Sequence, residues 1–495
     1  MLPLLKSTAK SSVIYSLGNI STKVAGFILI PLYLHYLTPS EYGVLNLMEV
    51  ISIAITVIFG LSLYTGFARW YYDKEYVSRQ KSLFFTSVIV LLGICLLMVI
   101  FLHPFSNALS GIVFNDQSLS KIFNLMIIVS AIQILSATPS TLMRLQEKPL
   151  LFISTNILRL VLTIVFTLIF MVHYKSGLIG IYQAQLIANI VYLLCILPFM
   201  LKNSEFKFEY KALKEMLAYC LPFVLMSISA IIISFTDKFL LKEFKSLADS
   251  GIYSLSFRIS NTIYYLIVDS VNLALAPIIF KIMYDKNSQR FYSKIVTYLS
   301  FAILLCIMGL SFFGKELIEL LSSKNEYALA YKFIPILSFA ALFMMLKDSM
   351  VRALNIVKKS RVISITIILV SFANVLLNFA LIPVLMTTGA SLAYFFTQVL
   401  AFGMLYYFAQ RAYPINYEMK KIALMFILAV GLTIVAFMLN DLPLIAAIGL
   451  KILLLASFPV ILYFFNFYEK IELERIRQII TGKGIPVDEV KNTEP

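Results

Sequence analysis

Fourteen apolar stretches of about twenty residues each dictate what this chain can become. A bilayer's hydrocarbon core is about 30 Å thick, and a helix needs about twenty residues to cross it. The stretches run over 12–34, 44–66, 83–103, 121–142, 150–173, 178–201, 217–237, 251–275, 292–313, 328–350, 362–385, 389–410, 420–440 and 443–466. In lipid, a lone segment satisfies its backbone N–H and C=O groups only as a helix. The expected fold is therefore an all-α integral membrane protein with fourteen transmembrane helices. Composition excludes the soluble alternatives: 14% of the 495 residues are charged, against about 25% in a soluble domain. The first stretch starts too far in, and is too long and polar, for a cleaved signal peptide. The four cysteines, Cys95, Cys195, Cys220 and Cys306, all fall in apolar spans and read as small buried hydrophobes, not as a disulfide scaffold.

The net charge of +15 is explained by topology. Alternating the segments across a membrane places 28 of the 41 Lys and Arg residues on one side, 7 on the other and 6 within spans. Cytoplasmic loops carry the basic excess, so both termini are assigned to the cytoplasm and no nucleic-acid partner is expected. No external loop is long enough for a folded domain; the largest, 104–120 and 238–250, barely exceed a dozen residues.

An offset near 208 recurs along the chain. Gly43 and Gly251 are 208 apart, as are Arg144 and Arg352, and Gly180 and Gly389 are 209 apart. This argues for a duplicated six-helix lobe, 1–201 and 217–410, joined by a cytoplasmic linker at 202–216. Two appended helices follow over 411–467, and then a tail, 468–495, opening on the amphipathic EKIELERIRQII. Six spans are an even number, so both lobes share one orientation. Two such bundles related by an axis along the membrane normal leave a central cavity, as in alternating-access transporters.

Polar side chains inside spans recur at helical spacing. Span eight carries Ser254, Arg258, Asn261, Tyr265, Asp269 and Asn272 on one stripe. Span five carries Asn156, Arg159, Thr163 and Thr167; span two carries Glu49, Ser52, Thr56, Gly60 and Tyr64. Lys23 sits on a similar stripe in span one, and span eleven carries Ser364, Ser371, Asn374 and Asn378. The small polar members also fit plain interhelical hydrogen-bonding seams. The cations demand more, because a charge at mid-bilayer persists only against a counterion, water or a ligand. Glu49, Asp237, Asp269 and Asp348 are the available counterions, and the first three are also candidates for H⁺ or Na⁺ coupling. Surplus cations suit an anionic head group, whose phosphate oxygens Arg grips bidentately. The substrate-binding candidates are Lys23, Arg69, Asn156, Arg159, Arg258 and Asn261.

Other chemistry lacks its motifs. His35, His103 and His173 sit at outer ends of spans, where an interfacial role competes with a metal site. There is no GxxxxGK[ST] loop and no HExxH. Neither a catalytic residue nor a bound cofactor or metal is expected.

Three segments carry a resemblance: GNISTKVAGFILIPLYLHYLTPSEYGVLNL, TDKFLLKEFKSLADSGIYSLSFRIS, and RALNIVKKSR through NVLLNFALIPVLMTTGASLAYFFTQ. Over about 10–465 the chain resembles the polysaccharide-type (Wzx, or O-antigen) flippases of the MOP exporter superfamily. That resemblance implies a MATE/MOP-like fold and movement of a polyprenyl-pyrophosphate-linked oligosaccharide across the bacterial cytoplasmic (inner) membrane. It implies membrane lipids as surroundings, and a polysaccharide polymerase and glycosyltransferases of the same pathway as partners. By position it matches Lys23, Arg69 and Arg258 to head-group cations and Asp237 to an acidic partner. Spans thirteen and fourteen resemble a lipid-tail groove, from which Lys451 departs. Two other readings stand beside it. A cation-coupled multidrug exporter of the same fold would set cationic substrates against surplus Lys and Arg. A membrane polymerase or ligase would need outer loops larger than these.

Overall fold

The computed structural model describes residues 28–268, 288–322, 324–465 and 467–468. Lys23, Asp269 and Asn272, most of span one, the end of span eight and most of the tail lie outside these. Among the described residues the chain is helical, with no strand. In order come α1 (28–36), α2 (Pro39–Gly60), α3 (Leu63–Trp70), α4 (Gln80–Leu102), α5 (Ser106–Phe114) and α6 (Ser120–Leu145). They continue with α7 (Pro149–Leu168), α8 (Gly177–Lys202), α9 (Tyr210–Phe244), α10 (Leu247–Ile263) and α11 (Ser288–Phe312). The last are α12 (Gly314–Leu321), α13 (Ile334–Ile356), α14 (Ser360–Ala412), α15 (Met419–Met438) and α16 (Leu444–Phe464).

Eleven described helical segments are long and apolar enough to cross a membrane. One of them, α14, holds two expected spans. It breaks at Met386 (φ 53°, ψ −128°) and doubles back, so that Asn374 Nδ2 donates to Thr397 Oγ1 at 2.9 Å. Gly389 is required at this hairpin, where a Cβ would lie 2.3 Å from the Leu381 carbonyl oxygen. The expected spans one and eight include residues outside the described ones, so the expected count of fourteen is not reached among the described residues.

Several expected boundaries move. Helix α9 starts at Tyr210 and runs to Phe244; it absorbs half of the 202–216 linker and most of the 238–250 loop. The rest of the linker is strapped to the first half: Thr86 Oγ1 accepts from the Glu209 N–H at 2.9 Å, and Gln146 Nε2 donates to Asn203 Oδ1 at 2.7 Å. Span two is not continuous. Leu61 and Ser62 both take left-handed conformations (φ 50° and 49°) between α2 and α3, so the stripe read through 49–64 is interrupted. The cysteines also divide: Cys95 and Cys220 are buried, but Cys195 and Cys306 face outward. An apolar lipid environment tolerates a thiol there as well as the core does.

The repeated offset reappears as repeated geometry. Thr38 caps α2 by accepting from the Glu41 N–H, and Ser246, 208 residues later, caps α10 by accepting from the Asp249 N–H. Those helices then cross at their glycines. A Cβ on Gly43 would lie 2.2 Å from the Leu247 carbonyl oxygen, and one on Gly251 would lie 2.0 Å from that of Pro39. Leu247 and Pro39 are themselves 208 apart, so each helix offers the other the same contact, the signature of a twofold relation. At the other end, Arg144 donates to Thr141 Oγ1 (3.1 Å) and Arg352 to Ser349 Oγ (2.8 Å), again 208 apart. Helices α15 and α16 pack on α11 and α13 through Met425, Ala429, Phe458 and Leu462. Glu418 ties the start of α15 to α11, accepting from Lys294 Nζ and Thr297 Oγ1, each at 2.8 Å.

Candidate functional site

A cavity of about 520 Å³ opens among α1, α2, α6, α7, α8 and α10. The polar wall follows from periodicity. On α7, Asn156, Arg159 and Thr163 succeed one another at steps of three and four, which stacks them on one face. On α8, Tyr182, Gln185 and Asn189 do the same. Gln133 from α6 and Ser52 and Glu49 from α2 extend the wall, and Leu29 and Tyr33 on α1 contribute apolar surface. Arg258 is the one lining residue from α10. Ser52 Oγ is 2.8 Å from Ser130 Oγ, pinning α2 to α6 behind the wall.

Two guanidinium groups face this space in different states. Arg258 Nη1 lies 3.5 Å from Glu49 Oε2, an ion pair joining α10 to α2 two turns beyond the glycine crossing. Arg159 has no carboxylate within ion-pair distance among the described residues. It donates to Asn156 Oδ1 at 3.1 Å and stands over the Tyr192 ring, 4.9 Å from the centroid. Asn156 is oriented in turn by donating to the Phe152 carbonyl at 2.6 Å. A half-buried cation held by one amide and one aromatic face is positioned but not neutralised, and an anion entering the cavity would meet it.

Beside it are polar atoms with unused capacity. Asn189 Nδ2 donates to the Gln185 carbonyl at 2.7 Å, which fixes the amide and leaves the buried Oδ1 without a partner among the described residues. The Tyr182 hydroxyl is likewise buried and has no partner among the described residues. Leaving such a group unmatched costs about 1–3 kcal/mol, and both of these belong to residues that line the cavity.

The structure brings four expected site residues together: Glu49, Asn156, Arg159 and Arg258. Three others lie elsewhere. Arg69 is exposed near the end of α3, 3.9 Å from Asp73 and against the Trp70 ring; the break at Leu61–Ser62 takes α3 off the face that Glu49 belongs to. Asn261 is buried and spends its amide on its own helix, donating to the Phe257 carbonyl at 2.9 Å. Asp237 is fully buried outside the cavity, accepting from the Tyr253 hydroxyl and from the Lys238 N–H. Lys23 and Asp269 lie outside the described residues. Span eleven forms a seam, with Asn378 Nδ2 donating to Asn374 and Asn374 to Thr397. Gln133, Tyr182, Gln185 and Asn189 went unread in the sequence, though the three- and four-residue spacing in GIYQAQLIAN carried the signal. Among the described residues no group of three His, Cys, Asp or Glu is placed to hold a metal ion.

Solved structures share this helical fold. A lipid II flippase, MurJ, in an inward closed conformation aligns with a TM-score of 0.68 at 14% identity, covering 92% of this chain and 100% of that one. An inward-facing multidrug resistance MATE family transporter of the MOP superfamily aligns at 0.64 and 15% identity, covering 79% and 95%. A Vibrio cholerae MATE transporter, VcmN, in its bent form aligns at 0.56 and 15% identity, covering 83% and 97%. These likenesses establish the fold. The chain belongs to the polysaccharide biosynthesis protein family, whose profile matches residues 8–283. No curated protein matches it.

Proposed function

We propose that this protein is a flippase, not an enzyme, that moves a polyprenyl-pyrophosphate-linked oligosaccharide across the bacterial cytoplasmic membrane by alternating access. The observation that carries the reading is Arg159, a cation without a carboxylate partner among the described residues, in a cavity walled by amides and hydroxyls. Arg suits a diphosphate, which accepts paired hydrogen bonds, and amide side chains suit a glycan. At about 520 Å³ the cavity lies within the usual range for a small-molecule site. A cationic drug would meet two guanidinium groups here, which disfavours the multidrug reading.

The lobes of the transport cycle are residues 1–201 and 217–410, with 411–467 appended, both termini cytoplasmic, and the glycine crossing of α2 and α10 on the outer side. The repeated caps, crossing and arginine contacts support that division. Opening outward separates α2 from α10 and breaks the Glu49–Arg258 pair. A diphosphate that draws Arg258 away from Glu49 frees that carboxylate to take up H⁺ or Na⁺. Asp237 is the weaker coupling candidate, because its Tyr253 partner holds it away from the cavity. Glycosyltransferases would supply the substrate and a polymerase would consume it.

The test is Arg159→Ala in the full chain, scored by surface polysaccharide in cells and by transfer of the lipid-linked glycan in proteoliposomes. Losing charge-assisted bonds of about 1.5–3 kcal/mol lowers transport at least tenfold while membrane abundance is unchanged. Normal polymer in that variant removes the cavity assignment.

A further inference from the structure

The cavity is chemically lopsided. Among the described residues its uncharged hydrogen-bonding groups come from the first half of the chain, concentrated on α8, whereas Arg258 is the sole lining residue from the second half. We propose that Tyr182, Gln185 and Asn189 on α8, with Gln133 on α6, form a subsite for an uncharged sugar bearing hydroxyl or acetamido groups, separate from the Arg159 that receives the diphosphate. The inference rests on the flippase reading above and adds which part of the substrate is read, and by which residues.

Three observations support it. The Asn189 amide cannot be turned over, because its nitrogen donates to the Gln185 carbonyl at 2.7 Å and a carbonyl only accepts. Its Oδ1 is therefore a fixed, buried acceptor, and no group among the described residues satisfies it. What it needs is a donor, which a sugar hydroxyl or an acetamido N–H supplies and an ionised carboxylate does not. The Tyr182 hydroxyl, two helical turns away on the same face and also without a partner among the described residues, can both donate and accept. Gln185 lies between them and Gln133 faces them from α6; neither side chain makes a hydrogen bond among the described residues. Such a row matches the alternating donors and acceptors of a glycan. Among the described residues the row itself carries no charge to neutralise an acidic sugar, and Arg159, which stands over the Tyr192 ring one turn beyond Asn189, is the cation the diphosphate occupies.

The full-length protein in proteoliposomes is titrated with three probes: bare polyprenyl diphosphate, the same lipid carrying a neutral disaccharide with an acetamido group, and the same lipid carrying a uronic acid in its place. The wild type is expected to bind the neutral glycolipid at least tenfold more tightly than the bare lipid, and the uronic acid form no better than the bare lipid. Asn189→Leu and Gln185→Leu are each expected to weaken the neutral glycolipid about tenfold and the bare diphosphate less than twofold. Arg159→Ala weakens both. Asn189 is buried, so thermal unfolding of each variant accompanies the titration, and half-buried Gln185 decides the result if Asn189→Leu folds poorly. If the α8 variants leave neutral-glycan binding unchanged, or weaken bare and glycosylated lipid equally, the subsite is wrong and the flippase reading survives. A wild type that binds none of the three lipids overturns the flippase reading itself.

Discussion

A single side chain can reverse its meaning between sequence and structure, and Lys451 is the clearest case. In an apolar span of the appended pair it looks like a cation facing lipid. In the fold it is fully buried, donating to Glu316 Oε1 at 2.5 Å and to Asn440 Oδ1 at 2.7 Å, while Lys315 holds the Asn440 carbonyl at 2.9 Å. It clamps α16 to α12, and the lipid-facing side of α16 stays apolar. Removing one member of a buried pair strands the other, at a cost of about 3–5 kcal/mol. Glu316 is partly exposed, so Lys451→Met is expected near the low end, about 3 kcal/mol, read as a lowered unfolding midpoint in detergent. Periodicity could place Lys451 on a helix face; it could not say that a carboxylate from another segment meets it there.

At the scale of elements, small residues decide how closely helices approach, since lipid gives no hydrophobic drive between them. Gly43 and Gly251 let α2 and α10 touch backbone to backbone. Gly43→Ala would press a methyl onto the Leu247 carbonyl, forcing the helices apart at a cost of about 2 kcal/mol. Gly403 has open space where its Cβ would be, so Gly403→Ala is expected to be neutral or to stabilise by up to about 1 kcal/mol through helix propensity. A lowered unfolding midpoint for Gly43→Ala beside an unchanged or raised one for Gly403→Ala would confirm the close crossing; equal effects would refute it. The offset of 208 was legible because duplicated contacts need duplicated residues. The breaks at Leu61–Ser62 and Met386 were not, because neither carries the glycine that usually marks a left-handed backbone.

For the whole molecule, Glu49–Arg258 is where the two halves meet across the cavity. If Glu49 competes with a diphosphate for Arg258, Glu49→Gln should tighten binding of polyprenyl diphosphate several-fold while slowing transfer in proteoliposomes. Weaker binding in that variant would mean that Glu49 holds Arg258 in place for the ligand. The sequence by itself determined the membrane class and the helical fold, and it carried the repeated offset of 208, because each depends on local composition or on comparing one stretch with another. It also found Arg159, Asn156, Glu49 and Arg258, since intramembrane charge and 3.6-residue spacing are visible along the chain. Only the tertiary structure decided that Arg159 lacks a carboxylate partner among the described residues while Arg258 has one, that Asp237 is buried behind Tyr253, and that α8 adds a wall of amides. Partnership depends on which helices lie side by side, and a polar stripe is the same in sequence whether it faces a neighbouring helix or an open cavity.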